Sequence, residues 1–189
     1  MGFDSAIPKS LGADLRALRR NRGFTLSDLS ERLGKSVGWL SQVERDISEP
    51  GISELRELAG ALDVPMSLFF GQSAASAGEE GRVVRAETRR PLGSRHAGLV
   101  EQLLSPDLTD DFEVIHSVFE PQSELPEPGQ RDTQEVGYLV SGRLNLTIGD
   151  QSYELNPGDS FRIRGEAYRW SNPHSKPAVA IWVISPPVY

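Results

Sequence analysis

Between Leu11 and Phe70 the apolar positions recur at three- and four-residue intervals, with no strict alternation, so this stretch is predicted to be helical. Leu11, Leu15 and Leu18 share one face of a first helix, which Gly23 ends as the kind of residue that tolerates a left-handed backbone. Thr25 is placed to cap a second helix, with Asp28 at the third position of a capping box and Leu26, Leu29 and Leu33 forming the buried stripe up to Gly34. Ser36 caps a third, whose Trp39, Leu40 and Val43 should face inward. A fourth follows through Ile52, Leu55, Leu58, Ala59 and Leu62, stopping before Pro65. A last turn from Met66 to Phe70 should close the bundle with two aromatics.

From Gly71 to Arg82 the sequence GQSAASAGEEGR is small and acidic, without apolar periodicity, as linkers are. Beyond it the pattern changes to eight short runs separated by turn residues: LVEQLLS, FEVIHSVF, VGYLV, RLNLTI, SYEL, SFRIR, YRWS and AVAIWVI. Such runs predict an antiparallel β-domain, with a tight hairpin at Gly149-Asp150 and a second turn at Asn156-Pro157-Gly158-Asp159. The expected fold is therefore two domains, an all-α bundle over residues 1–71 and an all-β sandwich or jelly roll over 83–189, joined by a linker at 72–82.

Composition narrows the function. Apolar residues make up 38% and charged residues 25% of the 189, the usage of a folded globular chain rather than a disordered one. No run approaches a membrane span, and MGFDSAIPKS lacks the apolar core of a signal peptide, so a cytoplasmic protein is expected. With no cysteine, disulfides, thiolate catalysis and zinc fingers are excluded. The net charge of −7 argues against nucleic acid until it is divided along the chain. Residues 1–45 carry eight basic and five acidic residues, a net +3, which leaves −10 for the remainder. An acidic body with a basic recognition segment has this asymmetry.

Two short helices joined at Gly34 form the arrangement that lays a second helix in a DNA major groove. With Trp39, Leu40 and Val43 turned inward, Lys35, Ser36, Val37, Gly38, Ser41, Gln42 and Arg45 remain at its start or on its outer face. Gln42 matches the donor–acceptor edge of adenine, and Lys35 and Arg45 suit phosphate. An ordinary solvated helix face has the same spacing. The stretch from Gly12 to Phe70 nevertheless resembles the Cro/C1-type helix-turn-helix of the XRE family, in Leu15…Leu18-Arg19…Gly23, Leu29…Leu33-Gly34, Leu40-Ser41-Gln42-Val43-Glu44-Arg45 and Pro50…Leu55…Leu58-Ala59. The resemblance implies base contacts from Lys35, Ser36, Val37, Gly38, Ser41 and Gln42, and phosphate contacts from Arg45 and the Thr25 end of the second helix.

The segment from Phe112 to Pro187 resembles a cupin, the small β-barrel fused behind this helix-turn-helix in regulators of the putrescine-utilisation repressor type. Its hallmarks are Glu135 to Gly142, the LNLTI strand, and Pro157-Gly158-Asp159 ahead of Asn172. Metal-binding cupins carry two histidines before that Glu and one before that Asn. Here Gly129 and Arg131, or Pro128 and Gln130, stand at the first two positions and Tyr168 at the third, so only Glu135 of the ligand set remains. His96, His116 and His174 lie apart without ligand spacing, and His116, on an alternating strand, reads as a core or rim residue. No metal or other cofactor is expected.

A barrel mouth lined by Arg131, Glu135, Tyr168 and Trp170 suits an organic effector, with Glu135 and the aromatics favouring an amine and Arg131 a carboxylate, hence an amine, an amino acid or a related zwitterion. The same Arg131 and Glu135 would also serve as an ion pair filling a vestigial cavity. The expected protein is a homodimeric transcription regulator, because one such helix reads only a half-site. It would bind double-stranded operator DNA and a small-molecule effector and have no catalytic residues. The alternative is a cupin enzyme resembling metal-dependent phosphonate epoxidases, with a vestigial helix-turn-helix.

Overall fold

The computed structural model describes residues 11–70, 78–79, 81–93, 96–106, 108 and 110–188, so most of the expected linker lies outside the described residues. Two compact units emerge. One holds the residues up to Arg90 together with Ser105–Asp110; the other holds Pro91–Leu104 and Asp111–Val188.

The first unit contains α1 (Leu11–Asn21), α2 (Leu26–Leu33), α3 (Val37–Val43) and α4 (Ile52–Leu62), then single 3-10 turns at Met66–Phe69 and Ala86–Thr88. Gly23 and Gly34 both take the left-handed conformation, with φ of 72° and 62°, which ends α1 and α2 where expected. Leu15, Leu18, Leu29, Leu40, Leu58 and Leu62 are fully buried. Five positions expected inside are only half-buried: Leu11, Leu26, Leu33, Trp39 and Phe69. Two are exposed. Ile52 opens α4 in a turn that the core does not reach and is 67% exposed, while Phe70 is 48% exposed because Leu68 takes the closing position.

The second unit consists of two antiparallel sheets built from β1 (Arg90–Pro91), β2 (Leu99–Leu103), β3 (Glu113–Phe119), β4 (Ser123–Glu124), β5 (Gln134–Ser141), β6 (Leu144–Ile148), β7 (Gln151–Leu155), β8 (Ser160–Arg164), β9 (Tyr168–Asn172) and β10 (Ala178–Ser185). The larger has the order β1-β2-β3-β10-β5-β8 and the smaller β4-β9-β6-β7. All eight apolar runs are strands; β1 and β4, two residues each, are too short to leave an alternation. The Gly149-Asp150 hairpin closes β6 onto β7 with Ile148 opposite Gln151. The Asn156 turn is held by Asp159, whose side chain accepts from the Asn156 N–H at 2.8 Å.

Aromatics fill the space between the sheets. Phe119 meets Trp170 edge-on at 4.9 Å, and Phe161 meets Trp182 at 4.7 Å. Phe161 lies so close over β5 that a Cβ on Gly137 would come within 2.0 Å of its ring. Asn172 is fully buried, and its amide donates to the Phe119 and Lys176 carbonyls at 2.9 Å, which makes it a clamp of the barrel wall.

Candidate functional site

The helix-turn-helix is set by two side-chain caps. Thr25 accepts from the Asp28 N–H at 3.1 Å while Asp28 accepts from the Thr25 N–H at 2.8 Å, and Ser36 accepts from the Trp39 N–H at 3.1 Å. The Thr25 hydroxyl, then its backbone amide, hold the Asp28 carboxyl below its ordinary value, so the box is intact wherever Asp28 is ionised.

The orientation of α3 depends on residues far from it in sequence. Arg19 of α1 grips Glu44 with two parallel bonds, Nε to Oε1 at 2.5 Å and Nη2 to Oε2 at 2.9 Å, and its Nη1 donates to the Phe24 carbonyl at 2.6 Å. Both side chains are buried. Gly12 allows α1 to touch the end of α3, since a Cβ there would lie 2.4 Å from the Val43 carbonyl oxygen. Its N–H donates to Asp46 at 2.9 Å.

With α3 so held, Ser36, Val37, Gly38, Gln42 and Arg45 are exposed, as is Thr25 at the start of α2, while Lys35 and Ser41 are half-buried. Arg45 folds back to the Ser41 carbonyl at 3.1 Å. Lys35 pairs with Glu54 of α4 at 2.9 Å and lies 5.2 Å from the Trp39 ring centre. The Glu54 hydrogen bond raises its pKa, so Lys35 stays cationic, but a phosphate must compete with Glu54 for it.

The positive charge counted along the first segment is not all at its surface. Arg19 is neutralised by Glu44, and Arg22 caps α4 through the Leu62 and Asp63 carbonyls. Periodicity could not reveal either, because both partners lie more than twenty residues away.

In the barrel, Arg131, Glu135, Tyr168 and Trp170 all line one cavity, joined by His96 and Glu101 and walled by Phe119 and Trp182. Its free volume is about 20 Å³, room for about one water molecule. Arg131 also lines an open recess with Gln130, Asp132 and Gly165, so it borders both spaces.

Glu135 is 1% exposed. Its Oε1 accepts from Thr133 Oγ1 at 2.7 Å, the Arg131 guanidinium stands at 4.0 Å, and Oε2 has no hydrogen-bond partner. A buried carboxylate with one neutral donor and a distant cation is under-compensated, which distinguishes it from a closed structural ion pair. Glu101 accepts from Ser117 at 3.2 Å. Glu101 and Trp182 become legible only once strand pairing is known: both lie on the inward parity of strands whose register leads back to Glu135, since Ile184 pairs with Glu135 and Ile115 with both Leu103 and Trp182. His96 lies outside the strands and carried no signal.

The metal chemistry that a cupin fold invites does not fit these residues. Gly129 exchanges backbone bonds with Tyr168, and a Cβ at Gly129 would lie 3.1 Å from the Tyr168 ring, so the phenol occupies the space where two of the ligands would meet. Among the described residues no group of three or more His, Asp or Glu side chains could hold an ion. His116, expected at the core or rim, is half-buried on the outward side of β3.

Capped helices bracketing a glycine turn, with a polar outer face, define a helix-turn-helix DNA-binding protein. Residues 15–69 match the helix-turn-helix family model and residues 115–184 the cupin domain model. The chain belongs to the XRE-type helix-turn-helix transcriptional regulators with a C-terminal cupin domain. It is similar to the HTH-type transcriptional regulator SutR of Escherichia coli, 27% identical over 164 residues and 85% of each chain. The HTH-type transcriptional regulator PuuR of the same organism is 26% identical over 165 residues, 85% of this chain and 86% of that one. The transcriptional regulator ClgR of Mycobacterium tuberculosis is 32% identical over 80 residues, 42% of this chain and 71% of that one. Among the described residues no helix is long and apolar enough to cross a membrane.

Proposed function

We propose that this transcription regulator is a cytoplasmic homodimer whose α3 reads operator DNA and whose cupin cavity binds a small organic effector, without catalysis and without a metal. The working division is residues 1–71 for DNA, 72–82 as linker and 83–189 for sensing and dimerisation. Gln42 and Ser41, with Lys35, Ser36, Val37 and Gly38, meet the bases; Arg45 and Thr25 meet phosphate. The observation that carries the sensing role is the buried Glu135 carboxylate, with one oxygen unpartnered, in a cavity of aromatic walls. Two carboxylates, Glu101 and Glu135, against the single guanidinium of Arg131 weight the effector class toward amines and amino acids with an ammonium group. Arg131, bordering both cavity and recess, must move for such a ligand to enter.

The test is a thermal-shift screen of amines and amino acids, followed by operator titrations with and without the best binder. The binder should change operator affinity about 5- to 150-fold, the usual span of allosteric coupling. Glu135→Gln should keep ligand-free operator affinity and lose the response. An equal response in the variant, or binders that never alter operator affinity, would remove the sensing role. Elemental analysis of the purified protein is expected to find no stoichiometric iron, manganese, nickel or zinc. About one metal per chain, lost in Glu135→Ala, would instead revive a metal-dependent cupin enzyme.

A further inference from the structure

An antiparallel sheet with one face in water alternates apolar-in and polar-out. The six-stranded sheet breaks this rule on its outer face. On β5, Glu135, Gly137 and Leu139 point into the barrel, yet the intervening Val136, Tyr138 and Val140 are also apolar. Each of these three, with Val100 on β2 and Val183 on β10, is between 40% and 49% exposed.

The register makes these positions contiguous. Val183 sits between Val114 and Val136, Ile181 between His116 and Tyr138, and Val179 beside Val118, which pairs with Val100. Apart from the half-buried His116 on β3, the polar residues lie at the margins, Gln102 on β2 and Ser160, Arg162 and Arg164 on β8.

We propose that this outer face is where a second copy of the chain docks, sheet against sheet. The proposal rests on the dimer reading above and assigns it a surface. Size is the first argument. With strands about 4.8 Å apart and a rise of about 3.3 Å per residue, the five strands β2-β3-β10-β5-β8 present a face of roughly 20 by 20 Å, about 400 Å² in projection and more in accessible area. That area, apolar along β2, β3, β10 and β5 and polar along β8, lies within the roughly 300–600 Å² of the largest patches on monomers, and two such faces, about 800 Å² in projection and more in accessible area, approach the roughly 1,200 Å² at which stable interfaces begin.

Symmetry and charge supply the second argument. The apolar rows are centred on β10, the middle of those five strands, so a two-fold axis there lays the patch on itself with the polar margins as a rim. An axis running along β10 sets β8 of one copy over β2 of the other and keeps the Arg162 and Arg164 pairs apart. An axis across the strands would stack arginine on arginine.

Light scattering and sedimentation of the full chain should show a dimer for the wild type, and monomers for Ile181→Asp and Val136→Asp with unchanged circular dichroism. A wild-type monomer would overturn both the face and the dimer reading; folded variants that stay dimeric would overturn the face alone. Should the variants fail to fold, the absence of native cysteine permits clean spin labels on the margins. A mixture of Gln102→Cys and Ser160→Cys chains should show short intermolecular distances, set by a sheet spacing of about 10 Å, and Ser160→Cys alone longer ones. No intermolecular coupling overturns the face, and the reverse order of distances overturns the axis.

Discussion

Arg19→Ala is expected to destabilise the helical unit by about 3–5 kcal/mol, the cost of breaking a buried ion pair by removing one partner. The Arg19 and Glu44 side chains are 9% and 5% exposed, and two parallel bonds join them. Without the guanidinium, the Glu44 carboxylate stays buried with its charge uncompensated, and the Phe24 carbonyl loses its donor. A single core of this size rarely supplies more than about 3–5 kcal/mol, so the variant should be largely unfolded in this unit and should not bind DNA, although no residue of the outer α3 face has changed. Replacing both partners, as Arg19→Met with Glu44→Leu, should recover much of the loss, because no lone charge remains. Hydrogen exchange of the α1 and α3 amides measures this. Near-native protection in Arg19→Ala would refute the assigned weight of the pair.

Gln42→Ala should cost about 1–3 kcal/mol of operator binding and relax the preference at one base position, whereas Arg45→Ala should weaken all duplexes alike and lower the salt slope by about one. The difference follows from chemistry. The Gln42 amide has a donor and an acceptor to match a base edge, and it is exposed on the last turn of α3. The Arg45 guanidinium, now on the Ser41 carbonyl, is expected to exchange that bond for a phosphate when DNA binds. Fluorescence anisotropy against the operator and its single-base variants, at several salt concentrations, separates the two effects. An identical pattern in both variants would contradict this division of roles.

What the sequence made legible was what depends on neighbours along the chain. Caps at Thr25 and Ser36, left-handed Gly23 and Gly34, and the Gly149-Asp150 hairpin are local devices, and the structure has each of them. Burial at element ends was read less well, as Ile52 and Phe70 illustrate, because periodicity marks a face but not where the core stops. The four barrel residues singled out from the motifs share a cavity, but Glu101 and Trp182 were missed. In AVAIWVI and VGYLV both parities are apolar, so alternation could not say which side faces inward until strand pairing was known. That ambiguity has a physical source: the sheet carries apolar residues on both faces. The Arg19–Glu44 clamp, spanning twenty-five residues, had no local signature at all.

The central claim is that a dimer of this chain reads DNA through α3, and selection of the full-length wild type against random duplexes tests it most directly. The expected result is an enriched sequence of two inverted half-sites whose centres lie about 34–36 Å apart or a multiple of it, one helical turn of DNA per step. A selection that enriches no motif, or only a single half-site without its inverted partner, would contradict the account.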